Sequence, residues 1–115
     1  MRRFIELKHV QAKELVRTLL EELSDRLQEK LTHFKEDSVS LHVVFEENGK
    51  RTVYRTSVTC HVPGHTIVAH EERREPGESI RETFAEVERQ LEKQKAILRR
   101  EKMVRRSRKI TRPTS

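Results

Sequence analysis

Apolar residues recur every three to four positions in two stretches of the 115-residue chain. In residues 12–34 this spacing predicts an amphipathic helix of about six turns, with no Gly or Pro to interrupt it. In residues 78–99 the same spacing predicts a second helix. Its apolar face is formed by Ile80, Phe84, Val87 and Leu91. Each helix has a charged opposite face, so each is expected to bury its apolar stripe against another element.

Alternating apolar and polar residues predict four strands. They cover residues 4–9, 38–45, 51–62 and 65–71. Asn48-Gly49 is expected to supply the positive φ angles of a tight hairpin turn, and Pro63-Gly64 to form a second turn. Because the strands have one apolar and one polar face, we expect a sheet that is exposed to solvent on one side.

The order of these elements is β-α-β-β-β-α. A strand, a helix and a second strand connected in this way form a right-handed crossover, so the first two strands are expected to be parallel neighbours. The remaining strands form a meander, and both helices need the single apolar face of the sheet. We therefore predict a two-layer α+β domain with a four-stranded mixed sheet and both helices on one face. This arrangement resembles a double-stranded-RNA-binding domain with an extra N-terminal strand.

The apolar stripe of the second helix fails beyond Met103. We therefore divide the chain into a domain, residues 1–102, and a basic tail, residues 103–115, which is expected to be disordered when free. Pro76 is expected in the first turn of the second helix, where no backbone N–H is needed.

The composition supports a folded protein of the cytoplasm. Leu, Ile, Val and Phe make up 30 of the 115 residues, above the level of roughly one fifth below which a charged chain stays disordered. The single cysteine, Cys60, excludes an internal disulfide and fits a reducing compartment. No apolar run approaches the length of a membrane span, and the N-terminus has no apolar signal core, so we predict neither membrane association nor secretion.

The charge is strongly asymmetric. Residues 89–112 contain 11 basic and two acidic residues, a net charge of +9, whereas the whole chain carries +6. Residues 1–88 are therefore slightly acidic, at −3. Such a concentration of positive charge predicts a polyanionic partner. Helical spacing places Arg89 with Lys93, and Lys95 with Arg99, on shared faces, and Arg100 beside them. This stripe is suited to following a phosphate backbone.

The polar residues also allow other interpretations. The basic segment could be no more than a solvated helix end. The histidines, His42, His61, His65 and His70, could suggest a metal site, but no ligand spacing accompanies them, so we interpret them as surface residues of strands that could also touch RNA. Cys60 falls on an apolar face and is interpreted as a small core residue. No catalytic constellation is present in the sequence, so we predict no enzymatic activity, cofactor, metal or small-molecule substrate.

Three segments resemble a known family. They are Leu41-His42-Val43-Val44, the segment Val62–Ala69 with its Pro-Gly turn, and the segment Val87–Lys95, which reads VERQLEKQK. They are similar, in the same order, to the ribosome hibernation promoting factors, a family that includes the ribosome-associated inhibitor and the sigma-54 modulation proteins. The resemblance covers about residues 4–98.

The resemblance implies a non-enzymatic protein with the β-α-β-β-β-α fold that binds the small ribosomal subunit in the channel for messenger RNA and transfer RNA and keeps the ribosome idle. Family contacts to ribosomal RNA match Arg26 and, near it, Lys30 in the first helix, and Arg89 and Lys93 in the second. With the charged stripe, the predicted RNA-binding residues are Arg26, Lys30, Arg89, Lys93, Lys95, Arg99 and Arg100. We expect a stress-response factor that is a monomer off the ribosome.

The sequence departs from the family pattern at several points. Glu86 stands where a basic residue is usual, the first helix is expected to be one turn longer, and the C-terminal dimerisation domain of long members is not expected. The alternative hypothesis is a regulatory module on the same fold, whose basic segment binds another RNA, an acidic protein or a membrane surface.

Overall fold

The computed structural model describes the backbone of residues 1–111 and the side chains of residues 1–101 and 103. Its elements are, in order, β1 (Arg2–Lys8), α1 (Lys13–Lys30), a short 3₁₀ turn (Glu36–Ser38), β2 (Ser40–Asn48), β3 (Val53–Val62), β4 (His65–Arg73) and α2 (Pro76–Thr111). The predicted α+β class and the β-α-β-β-β-α order are confirmed.

The four strands form one mixed sheet in the order β1-β2-β3-β4. β1 pairs with β2 in parallel, as expected for strands joined through a helix, and the β2–β3 and β3–β4 pairs are antiparallel. One row of register partners across the sheet is Ile5, Val43, Val58 and Ala69, which faces the helices. The next row is Phe4, His42, Thr59 and Val68, which faces away from them.

The hydrophobic core lies between the sheet and the two helices. The helices contribute Leu20, Leu27, Ile80 and Val87, all fully buried. The sheet contributes alternate residues, namely Leu41, Val43, Phe45, Val58, Cys60, Val62, Ile67 and Ala69, and Val39 is buried just before β2. Both helices therefore cover the same face, and the alternation along each strand explains why the other face is left open to solvent.

Arg3 of the edge strand β1 forms ion pairs and a hydrogen bond with α1. Its guanidinium lies 3.0 Å from Glu21 Oε2 and 2.7 Å from Asp25 Oδ1, and it donates a hydrogen bond to Gln28 Oε1 at 2.6 Å. The partners Glu21, Asp25 and Gln28 are spaced three and four residues apart, so they lie on one face of the helix. This network fixes how α1 crosses the edge of the sheet.

The first helix is shorter than the apolar pattern predicts. It ends at Lys30, and Leu31 and Phe34 follow in tight turns, where Phe34 N–H donates to Leu31 O at 3.1 Å. Leu31 is still buried, because a turn can direct a side chain into the core as well as a helix can. The prediction of a helix over residues 12–34 is therefore wrong at its C-terminal end. Leu15 also follows the apolar spacing of residues 12–34, but its side chain is 76% exposed. The apolar stripe of the helix is therefore wider than the part of it that is buried.

The β2–β3 turn differs from the predicted tight Asn-Gly turn. Asn48 still pairs with Val53, so four residues, 49–52, form the loop. The positive φ angle belongs to Thr52, at 52°. The Asn48 side chain instead accepts a hydrogen bond from the Arg51 N–H at 3.4 Å. The Pro63-Gly64 turn is confirmed, and Gly64 has a φ of 80°, which glycine adopts without a steric cost.

The second helix begins at Pro76, two residues before the predicted start, so Pro76 lies in its first turn as expected. It continues to Thr111, well past the predicted end near Arg99. No Gly or Pro lies between Gly77 and Pro113, and Lys, Arg and Met favour helix, so nothing in the local sequence terminates it. Residues 103–111 are therefore helical where a disordered tail was predicted, and residues 112–115 of that tail lie outside the described residues. The division into a domain and a tail stays a prediction.

Leu91 is the last buried residue of α2 among the described side chains. Residues 92–111, here called the helical arm, extend about 30 Å further at the helical rise of 1.5 Å per residue, and the molecule is 70 Å long. None of the helices, over the residues described, is long and apolar enough to cross a membrane.

Candidate nucleic-acid interface

The seven predicted RNA-binding residues lie on two neighbouring helices. Arg26 and Lys30 are one turn apart near the end of α1, and the other five are on α2 or its helical arm. Six of the seven are exposed and Lys95 is half-buried. Lys30 Nζ lies 2.9 Å from Glu88 Oε2 of α2, so the end of α1 is brought beside the middle of α2. Arg99 and Arg100 lie about 12 Å beyond Leu91 along the helical arm, clear of the core.

Three of these cations are paired with carboxylates of the protein itself. Besides the Lys30–Glu88 pair, Arg89 Nη2 lies 2.8 Å from Glu86 Oε2 and Lys95 Nζ lies 3.6 Å from Glu92 Oε1. Within the described side chains, no ion pair involves Arg26, Lys93, Arg99 or Arg100. The interface therefore has four cations that are available at once and three that already have an anionic neighbour.

Glu86 occupies the centre of a small polar network. Its carboxylate forms an ion pair with Arg89 and accepts a hydrogen bond from Gln90 Nε2 at 3.3 Å. Gln90 Nε2 also donates to the Val68 carbonyl at 3.1 Å, on the outer edge of β4. Because the glutamine contacts both the helix and the strand, it joins α2 to the edge of the sheet. Glu86 thus places a negative charge beside Arg89, at the position where the sequence suggested that the basic surface is interrupted.

A groove runs between α2 and the start of β4. Its volume is about 460 Å³, and it is lined by His65, Glu86, Arg89, Gln90, Lys93, Gln94 and Ile97. Arg89 and Lys93 were predicted, whereas Gln90 and Gln94 were missed. Both glutamines lie one residue beyond those cations, a spacing that places all four on adjoining rows of the helix. The groove could not be predicted from that spacing alone, because His65 comes from a different element.

The sheet separates His65 from the other strand histidines. His65 alternates with the buried Ile67 and Ala69 and lies on the helix-covered side, half-buried. His42, His61 and His70 are exposed on the open side. There, His61 Nδ1 is 3.1 Å from Thr66 Oγ1, and the ring of His42 meets Phe4 edge-on, with 6.3 Å between ring centroids. In the described part of the chain, no group of three or more His, Cys, Asp or Glu could hold a metal ion.

The open face of the sheet carries charges of both signs, unlike the basic surface of the helices. Its last row of register partners is Lys8, Glu46, Arg55 and Glu72, in which the signs of the charges alternate. Phe4 and Val68 are exposed there by 59% and 55%. Because opposite charges alternate at this spacing, the face presents no continuous positive field for a polyanion. Positive charge is concentrated on the helical side.

Cys60 behaves as a core residue. Its side chain is fully buried among the apolar residues of the sheet. Burial disfavours the charged form and raises the pKa of the thiol to about 11. The thiol is therefore protonated at neutral pH, and a protonated, inaccessible thiol is a poor nucleophile.

Comparison with known proteins identifies the family. Residues 4–99 match the family described as sigma 54 modulation protein / S30EA ribosomal protein. The chain belongs to this family. Its members are non-enzymatic, ribosome-binding proteins, so the prediction that the chain is not an enzyme is confirmed. Membership makes the protein a ribosome-associated factor, which implies a cytoplasmic location.

Solved structures support the fold. A ribosomal subunit interface protein from Coxiella burnetii is 22% identical with a TM-score of 0.64, over 84% of this chain and 99% of that one. The N-terminal domain of Thermus thermophilus Protein Y is 17% identical with a TM-score of 0.54, over 77% of this chain and 98% of that one. No curated protein sequence is significantly similar to the chain.

Proposed function

We propose that the protein binds the small ribosomal subunit in the channel used by messenger RNA and transfer RNA, and that it inhibits translation by occupying this channel. Membership of a ribosome-binding family carries the proposal. The basic faces of α1 and α2 contact ribosomal RNA in this scheme, and the protein acts during stress as a monomer when off the ribosome. The Lys30–Glu88 contact supports a single interface, because it brings cations of both helices side by side.

The chemistry of this interface suits a phosphate backbone. Each phosphate that a Lys or Arg neutralises releases counterions, so the affinity falls as salt is added. If all seven cations each contacted one phosphate, the logarithm of the affinity would fall with the logarithm of the salt concentration with a slope of about −5 to −6. Contacts by the four cations without a carboxylate partner alone would give about −3 to −4. The measured salt dependence therefore reports how many of the three intramolecular ion pairs open so that their cations can contact phosphate.

Charge reversal of Arg89 and Lys93 tests the site. The double variant Arg89→Glu/Lys93→Glu should lose at least tenfold in affinity for small subunits, measured by co-sedimentation through a sucrose cushion, and should inhibit translation in vitro less. The matched control is Lys8→Glu/Arg55→Glu, which makes the same charge change on the open face of the sheet, where both residues are exposed. An equal loss in both variants would show that only the net charge matters, and unchanged binding would refute the site.

A regulatory module that uses the helical arm is the second candidate. The arm has exposed apolar residues, Ile97, Leu98 and Met103, beside its basic residues, and it extends beyond the core. Deletion of residues 103–115 removes five cations and distinguishes the two proposals. Ribosome binding that survives with a shallower salt dependence supports the folded interface. Complete loss of binding would assign the interaction to residues 103–115.

A further inference from the structure

The groove between α2 and the start of β4 has a shape and a lining that backbone contacts to phosphate do not require. Two cations, Arg89 and Lys93, lie on one wall with the amides of Gln90 and Gln94, and His65 lies on the other. Ile97 adds an apolar surface at one end. A convex helix face alone would be sufficient to neutralise phosphates. A concave site that combines cations, amides and a flat aromatic ring points to a ligand with all three complementary features.

Two of these side chains, and the backbone of a third residue, are held in place before any ligand binds. Gln90 is fixed by its hydrogen bonds to the Val68 carbonyl and to Glu86, at 3.1 and 3.3 Å. Arg89 is fixed by its 2.8 Å pair with Glu86. His65 is the first residue of β4 and pairs with Val62 across the Gly64 turn, so its backbone is set by the hairpin. A site whose walls are already ordered loses less conformational entropy on binding.

We propose that this groove binds one nucleotide of a single-stranded RNA segment, with its phosphate against Arg89 and Lys93 and its base against the His65 ring and the Gln94 amide. The inference rests on the proposed function, since it names the form of RNA that the same basic surface takes up. The volume of about 460 Å³ falls within the range of small-molecule sites. An imidazole stacks on an unpaired base, and an amide side chain can hydrogen-bond to a base edge.

A single strand fits this groove better than a duplex. In an RNA duplex the bases are stacked and paired, so only phosphates, riboses and the shallow groove edges reach a protein surface. A duplex would leave His65 and Gln94 without partners. A single strand can turn one base out of its stack and into the groove while its backbone follows the cations of α2. The groove therefore selects an unpaired nucleotide without needing to distinguish its sequence.

Direct binding of short RNAs to the full-length protein tests the proposal. Fluorescence anisotropy would compare 5′-labelled hexauridylate and hexaadenylate with a labelled, blunt RNA duplex. His65→Ala should weaken binding of the single strands about five- to tenfold, as expected for a lost base stack, and leave duplex binding unchanged. The matched control, His70→Ala, removes an exposed histidine of the same strand on the open face and should change neither. Gln94→Ala, which leaves the hairpin untouched, should weaken single-strand binding about two- to threefold.

The imidazole signals of His65 in a two-dimensional NMR spectrum provide an independent measurement. They should shift on addition of hexauridylate, whereas those of His70 should not. Equal effects of His65→Ala and His70→Ala, or His65 signals that stay in place at saturation, would overturn the groove. Those results would count against the groove alone, because the wild-type protein could still co-sediment with small ribosomal subunits. Failure of the wild type to bind small subunits would instead refute the proposed function, while the oligonucleotide results still decide the groove.

Discussion

Glu86 is expected to weaken RNA binding, and its removal should strengthen it. The carboxylate lies 2.8 Å from the Arg89 guanidinium. A phosphate oxygen that binds the far side of the same guanidinium would be about 6 Å from Glu86, since charge-assisted contacts are about 2.8 Å long. At that distance two like charges in water repel by about 0.7 kcal/mol. Screening at about 0.1 M salt reduces this to about 0.4 kcal/mol.

Glu86→Gln should therefore increase the affinity for small subunits about twofold at 0.1 M salt, and Glu86→Lys, which changes the charge by two, about fourfold. The glutamine variant keeps an acceptor for the hydrogen bond from Gln90. The free energy of unfolding should change by less than about 1 kcal/mol, because the pair is largely exposed to solvent. Competition binding measured by fluorescence anisotropy resolves differences of this size.

The control for this experiment is Glu46→Gln, which makes the same charge change at an exposed position on the open face of the sheet. It should leave the affinity nearly unchanged, because the sheet and the core separate it from the interface. Equal gains from Glu46→Gln and Glu86→Gln would show that the net charge acts at long range. A loss of affinity in Glu86→Gln would refute the reasoning, since the carboxylate would then be assisting Arg89 rather than competing with phosphate.

Three further predictions concern buried polar groups. The Ser79 hydroxyl is fully buried, accepts a hydrogen bond from Thr56 Oγ1 and donates one to Glu71 O, both at 2.9 Å. Ser79→Ala should therefore lower the free energy of unfolding, measured by urea denaturation, by about 1–3 kcal/mol. Adding Thr56→Val should then cost little more, and a second full loss would contradict this pairing. The buried Ser24 hydroxyl has no hydrogen-bond partner in the described structure, so Ser24→Ala should stabilise the protein by about 1 kcal/mol, and a clear loss of stability would show that the hydroxyl is bonded. Burial raises the pKa of the Cys60 thiol from 9.0 to about 11, so between these pH values the folded state keeps the thiol proton while the unfolded state loses it. The free energy of unfolding should therefore fall as the pH rises from 9 to 11, by about 2 kcal/mol more in the wild type than in Cys60→Ala. Parallel plots of the free energy of unfolding against pH for the two proteins would refute the shift.

Most of the fold could be predicted because its elements have clear local periods. Alternation along β2 and β3 placed Val43 and Val58 on the apolar face of the sheet, which the structure buries in the core. The ends of elements were less predictable. The apolar Leu31 and Phe34 continued the helical spacing beyond Lys30, although they pack from turns. The spacing of apolar residues reports which side chains are buried, and it does not report which backbone conformation carries them there.

The candidate interface could be predicted in part. The charge pattern selected Arg89 and Lys93, which do line the groove. It did not select His65, because alternation with Ile67 and Ala69 places this histidine on the apolar side of the sheet but does not show that α2 lies beside it. It also could not show that Lys30, Arg89 and Lys95 each have a carboxylate neighbour, since side-chain rotamers and helix packing decide that.

The sequence by itself determined the element order, the one-sided core and the concentration of positive charge in the last third of the chain. Each of these follows from residues close together in the chain, whose spacing maps directly onto helix and strand geometry. Only the tertiary structure decided that the Gly64 hairpin brings His65 beside Arg89, that Glu88 joins α2 to Lys30 of α1, and that α2 continues beyond the core as the helical arm. The first two are contacts between distant residues, which depend on how the helices pack across the sheet. The third reflects the absence of a helix terminator after the core ends at Leu91.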